Sequence, residues 1–246
     1  MLIIKNLYVN INKKNIIKNL NLHIKPGKIH VIMGPNGSGK STLSYVLAGH
    51  SSYIIPQGQI LYKNQDLLNM KPEIRACEGL FVAFQHSPDI PGVTNYIFLY
   101  NALNSIRKYK NLKLIDRFIF KDIINNNLKI IGKSKAFIQR FVNVGFSGGE
   151  KKINDILQML VLEPNLCILD EIDSGLDIDA LKKVATIINS MRNKKRSFII
   201  ITHYQRILNY IKPDYVHILN NNTIIKSGDI GLVSCLEDHG YDNIHR

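Results

Sequence analysis

Only three of the 246 residues are cysteine, and Cys77, Cys167 and Cys235 share neither a CxxC pair nor any metal-ligand spacing. No disulfide framework is expected, and so odd and scattered a set fits a reducing compartment. Long hydrophobic runs are missing as well. A stretch such as Phe198-Ile199-Ile200-Ile201 falls far short of the ~20 apolar residues that span a bilayer, so no direct membrane insertion is expected. The first residues, Met1-Leu2-Ile3-Ile4, start a strand pattern and not a signal or transit peptide. Internal repeats, low-complexity linkers and sustained heptads are also lacking. Acids are the last shortage: 19 Asp+Glu against 32 Lys+Arg leave a formal charge of +13. Such a balance suits a phosphate-backbone binder. The lysines, however, are scattered (Lys5, Lys13, Lys63, Lys121, Lys182, Lys226), and Lys194-Lys195-Arg196 is the only compact run. Base-composition drift toward Lys, Ile and Asn accounts for that scatter, and nucleic acid is not expected as a partner.

What is present is enough for a sizeable core, since 45% of the residues are hydrophobic. Alternation at Leu7, Val9 and Ile11, then at Leu20, Leu22 and Ile24, predicts half-buried antiparallel strands. Pro26-Gly27 makes a turn into a buried strand over 29–33. From about residue 94 to 162 the apolar spacing is helical, with no strong strand candidate. Then α/β alternation returns: strand 166–170, helix 177–191, strand 197–202, helix 204–211, strand 215–219. Strands alternating with helices predict a largely parallel sheet covered on both faces, with a helical lobe inserted into it.

Gly34-Pro35-Asn36-Gly37-Ser38-Gly39-Lys40-Ser41 matches GxxxxGK[ST] directly after a predicted strand. Glycines let successive N–H groups curl around a phosphate without Cβ clashes, and the helix that follows (41–48) points its positive end at the same anion. Lys40 is placed to reach the β- and γ-phosphates and Ser41 to coordinate Mg²⁺. A nucleoside triphosphate is therefore the expected ligand. A second element, Leu166-Cys167-Ile168-Leu169-Asp170-Glu171, is an apolar strand ending in two acids. Asp170 at the strand end suits Mg²⁺ held through water, and Glu171 suits orientation of the attacking water.

Phe146-Ser147-Gly148-Gly149-Glu150 discriminates among the P-loop families. A Ser hydroxyl plus unpaired glycine N–H groups at a helix start make a second anion site, and here the chain resembles the ABC-type ATPases. The resemblance implies a P-loop (RecA-like) α/β core with an N-terminal antiparallel β subdomain and an inserted α-helical subdomain. It implies one ABC ATPase domain over 1–246, its core lobe at 1–87 and 163–246 and its helical part at 88–162. It further implies ATP and Mg²⁺ as ligands and ATP-dependent self-dimerisation, with Ser147, Gly148 and Gly149 capping the nucleotide of a second copy. Further elements of the pattern occur in order. Gln85 would sense Mg²⁺ and the attacking water, Ser174-Gly175-Leu176-Asp177 would cross the dimer seam, and His203 would contact the γ-phosphate. Thr42 completes the phosphate loop, Glu171, His203, Lys40 and Gln85 form the implied catalytic set, and Ser41, Gln85 and Asp170 form the metal set.

Within that family, Pro88-Asp89-Ile90-Pro91-Gly92-Val93, Val142-Asn143-Val144-Gly145, Asp155-Ile156-Leu157-Gln158-Met159 and Thr202-His203-Tyr204-Gln205-Arg206 are similar to the ATPases of the SUF iron–sulfur cluster assembly system. Partners implied are SufB-like and SufD-like scaffold proteins, the cluster lying on the scaffold because this chain's cysteines are poorly spaced. The bacterial-like carboxyl half implies bacterial cytoplasm, with plastid stroma or a related organelle as the alternative. A membrane transporter's nucleotide-binding subunit is the alternative function. Three positions depart from ordinary transporter cassettes. Ile153 stands where an Arg is usual, which predicts altered packing against a partner. Ile11 replaces the adenine-stacking aromatic unless Tyr8 substitutes, which predicts weak nucleotide affinity in the isolated subunit. Asp173 stands where Thr is usual, predicting that Asp173 competes for His203 while Lys152 competes for Glu171.

Overall fold

Alternation at the start of the chain builds two long antiparallel strands, β1 (Leu2–Ile11) and β2 (Lys14–Ile24). Asn12 and Lys13 turn between them with φ of 47° and 65°, the left-handed pair that follows a hairpin's twist. The computed structural model describes residues 1–203 and 205–241. Strand β3 (Ile29–Met33) runs into α1 (Lys40–Ala48), and β4 (Ile54–Tyr62) returns to pair with β1, carrying the short β5 (Gln65–Asp66) on its edge. Next come α2 (Pro72–Cys77), β6 (Leu80–Ala83) and β7 (Ile90–Thr94). The helical stretch holds α3 (Asn95–Tyr109), α4 (Arg117–Ile131) and α5 (Lys135–Gln139), then β8 (Phe141–Val142) and α6 (Gly148–Leu162). The chain continues through β9 (Leu166–Asp170), α7 (Ile178–Ser190), β10 (Ser197–Ile201), β11 (Tyr215–Asn220), β12 (Thr223–Gly228) and α8 (Gly231–His239).

The central sheet has the order β12-β11-β3-β10-β9-β6, parallel except for β12. Its middle strands are apolar at nearly every position because both faces are covered, and period two sorts their side chains between two cores. Val31, Leu169, Phe198 and Ile200 face the core shared with α3, α4, α6 and α7. Ile32, Ile168, Ile199 and Ile201 face the core shared with α1 and the β1-β2-β4 sheet. Each such side chain, fully buried, contributes roughly 1.5–3 kcal/mol. All four middle strands therefore end on one edge, and the loops leaving their carboxyl ends are fixed there together.

Four features differ from the sequence reading. In place of a helix over 204–211 the structure has a single 3₁₀ turn, Arg206–Asn209; Tyr204 lies outside the described residues. Pro213 bars a longer helix, while Ile207, Leu208 and Ile211 are buried and tie the turn down. The predicted all-helical stretch contains β8, which pairs with β7 in a two-stranded ribbon. Strand β12 and helix α8 carried no distinct pattern. Ile153 is buried in the chain's own core instead of facing outward, so an arginine is replaced by a core residue and not by a lost partner contact.

Candidate nucleotide site

Strand β3 delivers the chain to Gly34, where a Cβ would lie 2.0 Å from the Leu219 carbonyl oxygen. No other residue fits there. Gly37 and Gly39 take φ of 80° and 103°, which curls the loop into the start of α1. Lys40 reaches back across the loop, and its Nζ donates to the carbonyls of Gly34 at 2.8 Å and Pro35 at 2.9 Å. Burial lowers its pKa, while Glu171 and Asp170 oppose the shift. Helix α1 has no side-chain cap, so the N–H groups of its first turn are left for a ligand.

Asp170 ends β9, fully buried, and neither carboxylate oxygen has a hydrogen bond of good geometry among the described residues. Burial raises its pKa, and the nearby Ser41 and Ser44 hydroxyls and Lys152 pull it back. A buried carboxylate so placed, beside a serine hydroxyl and below an anion loop, is a donor set that fits a hard divalent cation whose other ligands are water and phosphate oxygens.

Glu171 follows with φ of 49°, a left-handed backbone uncommon for a residue with a side chain. Its N–H donates to the Ile201 carbonyl at 2.8 Å and its own carbonyl accepts from Ser174 at 3.1 Å, which holds the strained bend. The bend aims the carboxylate at two neighbours. Oε2 accepts from Gln85 Nε2 at 2.6 Å, and Oε1 lies 3.0 Å from His203 Nδ1. Gln85, Glu171 and His203 leave three different strands, yet they share with the phosphate loop one cleft of about 460 Å³. Ile16 also lines the cleft; Ile11 and Tyr8 are half-buried on β1 and do not line it. The sequence offered no signal for Ile16, because it is one apolar residue in an alternating strand.

Neither expected charge pair forms. Asp173 accepts from the Thr202 hydroxyl at 2.7 Å, and His203 meets Glu171 instead. Lys152 donates to main-chain carbonyls, of Phe84 at 2.9 Å, Gln85 at 3.0 Å and Asp170 at 3.4 Å. The reason is reach: the ammonium is buried among the carboxyl ends of β6 and β9, where carbonyls surround it.

Ser147, Gly148, Gly149 and Asp177 are not in the cleft. Ser147 caps α6 in a capping box, its Oγ accepting from Glu150 N–H at 3.2 Å and its N–H donating to Glu150 Oε2 at 3.1 Å. Gly149 packs against the Gly175 carbonyl, where a Cβ would come within 3.3 Å. Asp177 caps α7 through the Ala180 N–H at 2.7 Å. Arg140 braces the loop before α6. It pairs with Glu150 at 2.8 Å, donates to the Gly145 carbonyl at 2.9 Å and lies 3.9 Å from the Phe146 ring centroid. With Ser147, it holds the Glu150 carboxyl below its usual pKa. A lone arginine upstream carried no recognisable pattern.

A P-loop over a parallel sheet, an acidic strand end and a second helix that starts with Gly148-Gly149 behind a Ser147 cap define an ATP-binding cassette. The family model "ABC transporter" matches residues 17–174. "Probable ATP-dependent transporter SufC" of Escherichia coli (strain K12) is 57% identical over 241 residues, covering 98% of this chain and 97% of that one. "Probable ATP-dependent transporter ycf16" of Antithamnion sp. is 52% identical over 246 residues, 100% of this chain and 98% of that one. A dimeric bacterial ABC transporter cassette superposes with a TM-score of 0.79 at 19% identity, over 94% of this chain and 99% of its own, a likeness of fold. The chain belongs to the ABC ATPase family, in the branch that holds SufC. It is thus a nucleotide-binding ATPase subunit, and no helix among the described residues is long and apolar enough to cross a membrane.

Proposed function

We propose that this chain is the Mg²⁺-dependent ATPase that drives conformational change in an iron–sulfur cluster assembly complex, docking on SufB-like and SufD-like scaffold proteins in bacterial cytoplasm or a plastid-like compartment. The observation that carries the catalytic reading is Glu171, held between Gln85 and His203 in the cleft that also contains Lys40. The phosphate loop from Gly34 to Thr42 binds the triphosphate, with Lys40 moving from loop carbonyls to phosphate oxygens. Ser41, Asp170 and Gln85 hold Mg²⁺, which supplies charge neutralisation on the β- and γ-phosphates when bound. Glu171 orients the water and takes its proton, and His203 bridges Glu171 and the γ-phosphate. Ser147, Gly148, Gly149 and Asp177 complete the site of a second copy. Residues 1–87 and 163–246 act as the core lobe and 88–162 as a helical lobe of one domain.

The pathway assignment rests on 57% identity to SufC over nearly the whole chain. An apolar groove of about 380 Å³, floored by Leu80, Val82 and Phe84 and walled by Phe98 and Ile106, lies beside Gln85 and suits a docking helix. The test is ATP hydrolysis by the purified chain, alone and with a SufB–SufD-type pair. Stimulation that Glu171→Gln abolishes is expected. Absent stimulation, with binding to a membrane permease instead, would move the function to transport.

A further inference from the structure

The loop after β6 is tied to α6 almost residue by residue. Lys152 Nζ holds the carbonyls of Phe84 and Gln85. Ser87 Oγ donates to Asp155 Oδ2 at 2.8 Å and lies 3.1 Å from Oδ1. The Pro88 carbonyl accepts from Asn143 Nδ2 at 2.9 Å, and Asn143 Oδ1 in turn accepts from Asn154 Nδ2 at 2.9 Å. Asp89 meets Lys151 at 2.6 Å. The last pair is solvent-exposed and contributes little. Lys152, Asp155, Asn143 and Asn154 are buried, and buried polar groups are costly to leave unpaired.

Of these ties, Ser87 to Asp155 is the one made wholly between side chains of the loop and the helix with a buried carboxylate. Asp155 lies two turns into α6 and touches no part of the cleft, so neither the P-loop nor the acidic strand end accounts for its burial. Burial pushes its carboxyl up to about 6, while Ser87, Lys152 and Lys151 pull it down. A carboxylate kept at that expense, with one hydroxyl meeting both oxygens, is a fixed attachment point.

We propose that Asp155 is a positioning residue: through Ser87 it locks the loop carrying Gln85 to the helix that Ser147 caps. Gln85 serves the chain's own cleft, and Ser147 reaches the nucleotide of a second copy, so one rigid piece spans two half-sites. A displacement of either end is passed to the other instead of being absorbed in the loop. This rests on the roles proposed above for Gln85 and Ser147.

The test compares wild type, Ser87→Ala, Asp155→Asn, Asp155→Ala and the Ser87→Ala/Asp155→Ala double variant in ATP turnover. A fluorescent ATP analogue gives nucleotide affinity at dilution where the chain is monomeric. Ser87→Ala should lower kcat by about 3- to 30-fold, the range of couplings through packed networks, with monomer affinity changed by less than about twofold. Asp155→Asn keeps an oxygen that accepts from Ser87 and should recover most of the turnover. The double variant should be no worse than Asp155→Ala alone. A residue that only supports the fold would lower affinity and turnover together. Wild-type turnover in Ser87→Ala, multiplicative losses in the double variant, or Asp155→Asn as impaired as Asp155→Ala would each overturn the proposal. Should Asp155→Ala not fold, Ser87→Ala against Asp155→Asn decides. Glu171→Gln separates the two readings: wild-type hydrolysis in that variant sinks the site assignment. A silent Glu171→Gln beside a wild-type Ser87→Ala sinks the tie alone.

Discussion

Two helices of this chain begin at glycine-containing turns, and their amino ends are built in opposite ways. Helix α1 begins behind Gly39 at φ of 103° with no side-chain cap, and its first-turn N–H groups are left to whatever occupies the loop. Helix α6 begins behind Ser147 with both halves of a capping box closed. The Ser147 and Glu150 N–H groups are paired before any ligand arrives, and exposed Gly148 presents a bare N–H. An uncapped end leaves donors whose pairing energy goes into binding, whereas a capped end puts that energy into the fold. The contrast predicts that a single chain binds nucleotide through the α1 end alone, with α6 contributing only when a second copy brings a phosphate to it.

The sharpest test of that contrast is Lys40→Ala. Losing the one cation of the loop should weaken nucleotide binding by the monomer on the order of 100-fold, since charge-assisted hydrogen bonds to phosphate are the strong ones. Fluorescent-nucleotide titration reads it, and a change below about threefold would remove the α1 end as the primary site.

A smaller effect comes from one substitution made at both ends. Gly39→Ala forces a side chain into a left-handed backbone 2.9 Å from the Ile16 carbonyl, and should cost about 1–3 kcal/mol of stability. Gly148→Ala meets nothing within 4 Å, so thermal melting should stay at the wild-type Tm while turnover falls. Equal melting shifts in the two variants would erase the distinction.

Acid should separate the halves most gently. His30 lies on β3, below the phosphate loop, with Nδ1 2.9 Å from Nε2 of His217 on β11. Burial holds His30 down at about 3, with the charge of His217 adding to the shift, and holds His217 at about 4. Below about pH 6.5 the unfolded chain binds protons that the folded one refuses, so this region loses stability as pH falls toward 4. Asp155 has the opposite sign: raised from 3.8 to about 6, it binds a proton first in the folded state and gains stability over the same descent. Hydrogen exchange, corrected for intrinsic rates, should show β3 and β11 losing protection relative to α6 between pH 6.5 and 4.5. Equal losses would count against it.

Much of the site was legible because it is local. Gly34 to Ser41 must be contiguous to wrap one phosphate, and Asp170-Glu171 must end an apolar strand to sit beside it. The four inner strands were legible for the same reason, their burial on both faces leaving unbroken apolar runs. The turn at Arg206–Asn209 was not, because its apolar spacing satisfies a helix as well as a short connection between two strands. Ile16, Arg140 and the Ser87–Asp155 pair were invisible for another reason. Each acts across 10 to 68 residues of sequence or as one member of an ordinary pattern.

The sequence by itself determined the nucleotide loop, the acidic strand end, the signature helix start and the largely parallel sheet, since each is written in spacing that backbone geometry makes nearly unique. Only the tertiary structure decided which charges meet. Lys152 turns to carbonyls and His203 to Glu171, because strand register and burial bring those atoms within reach while sequence fixes only the sign of a charge.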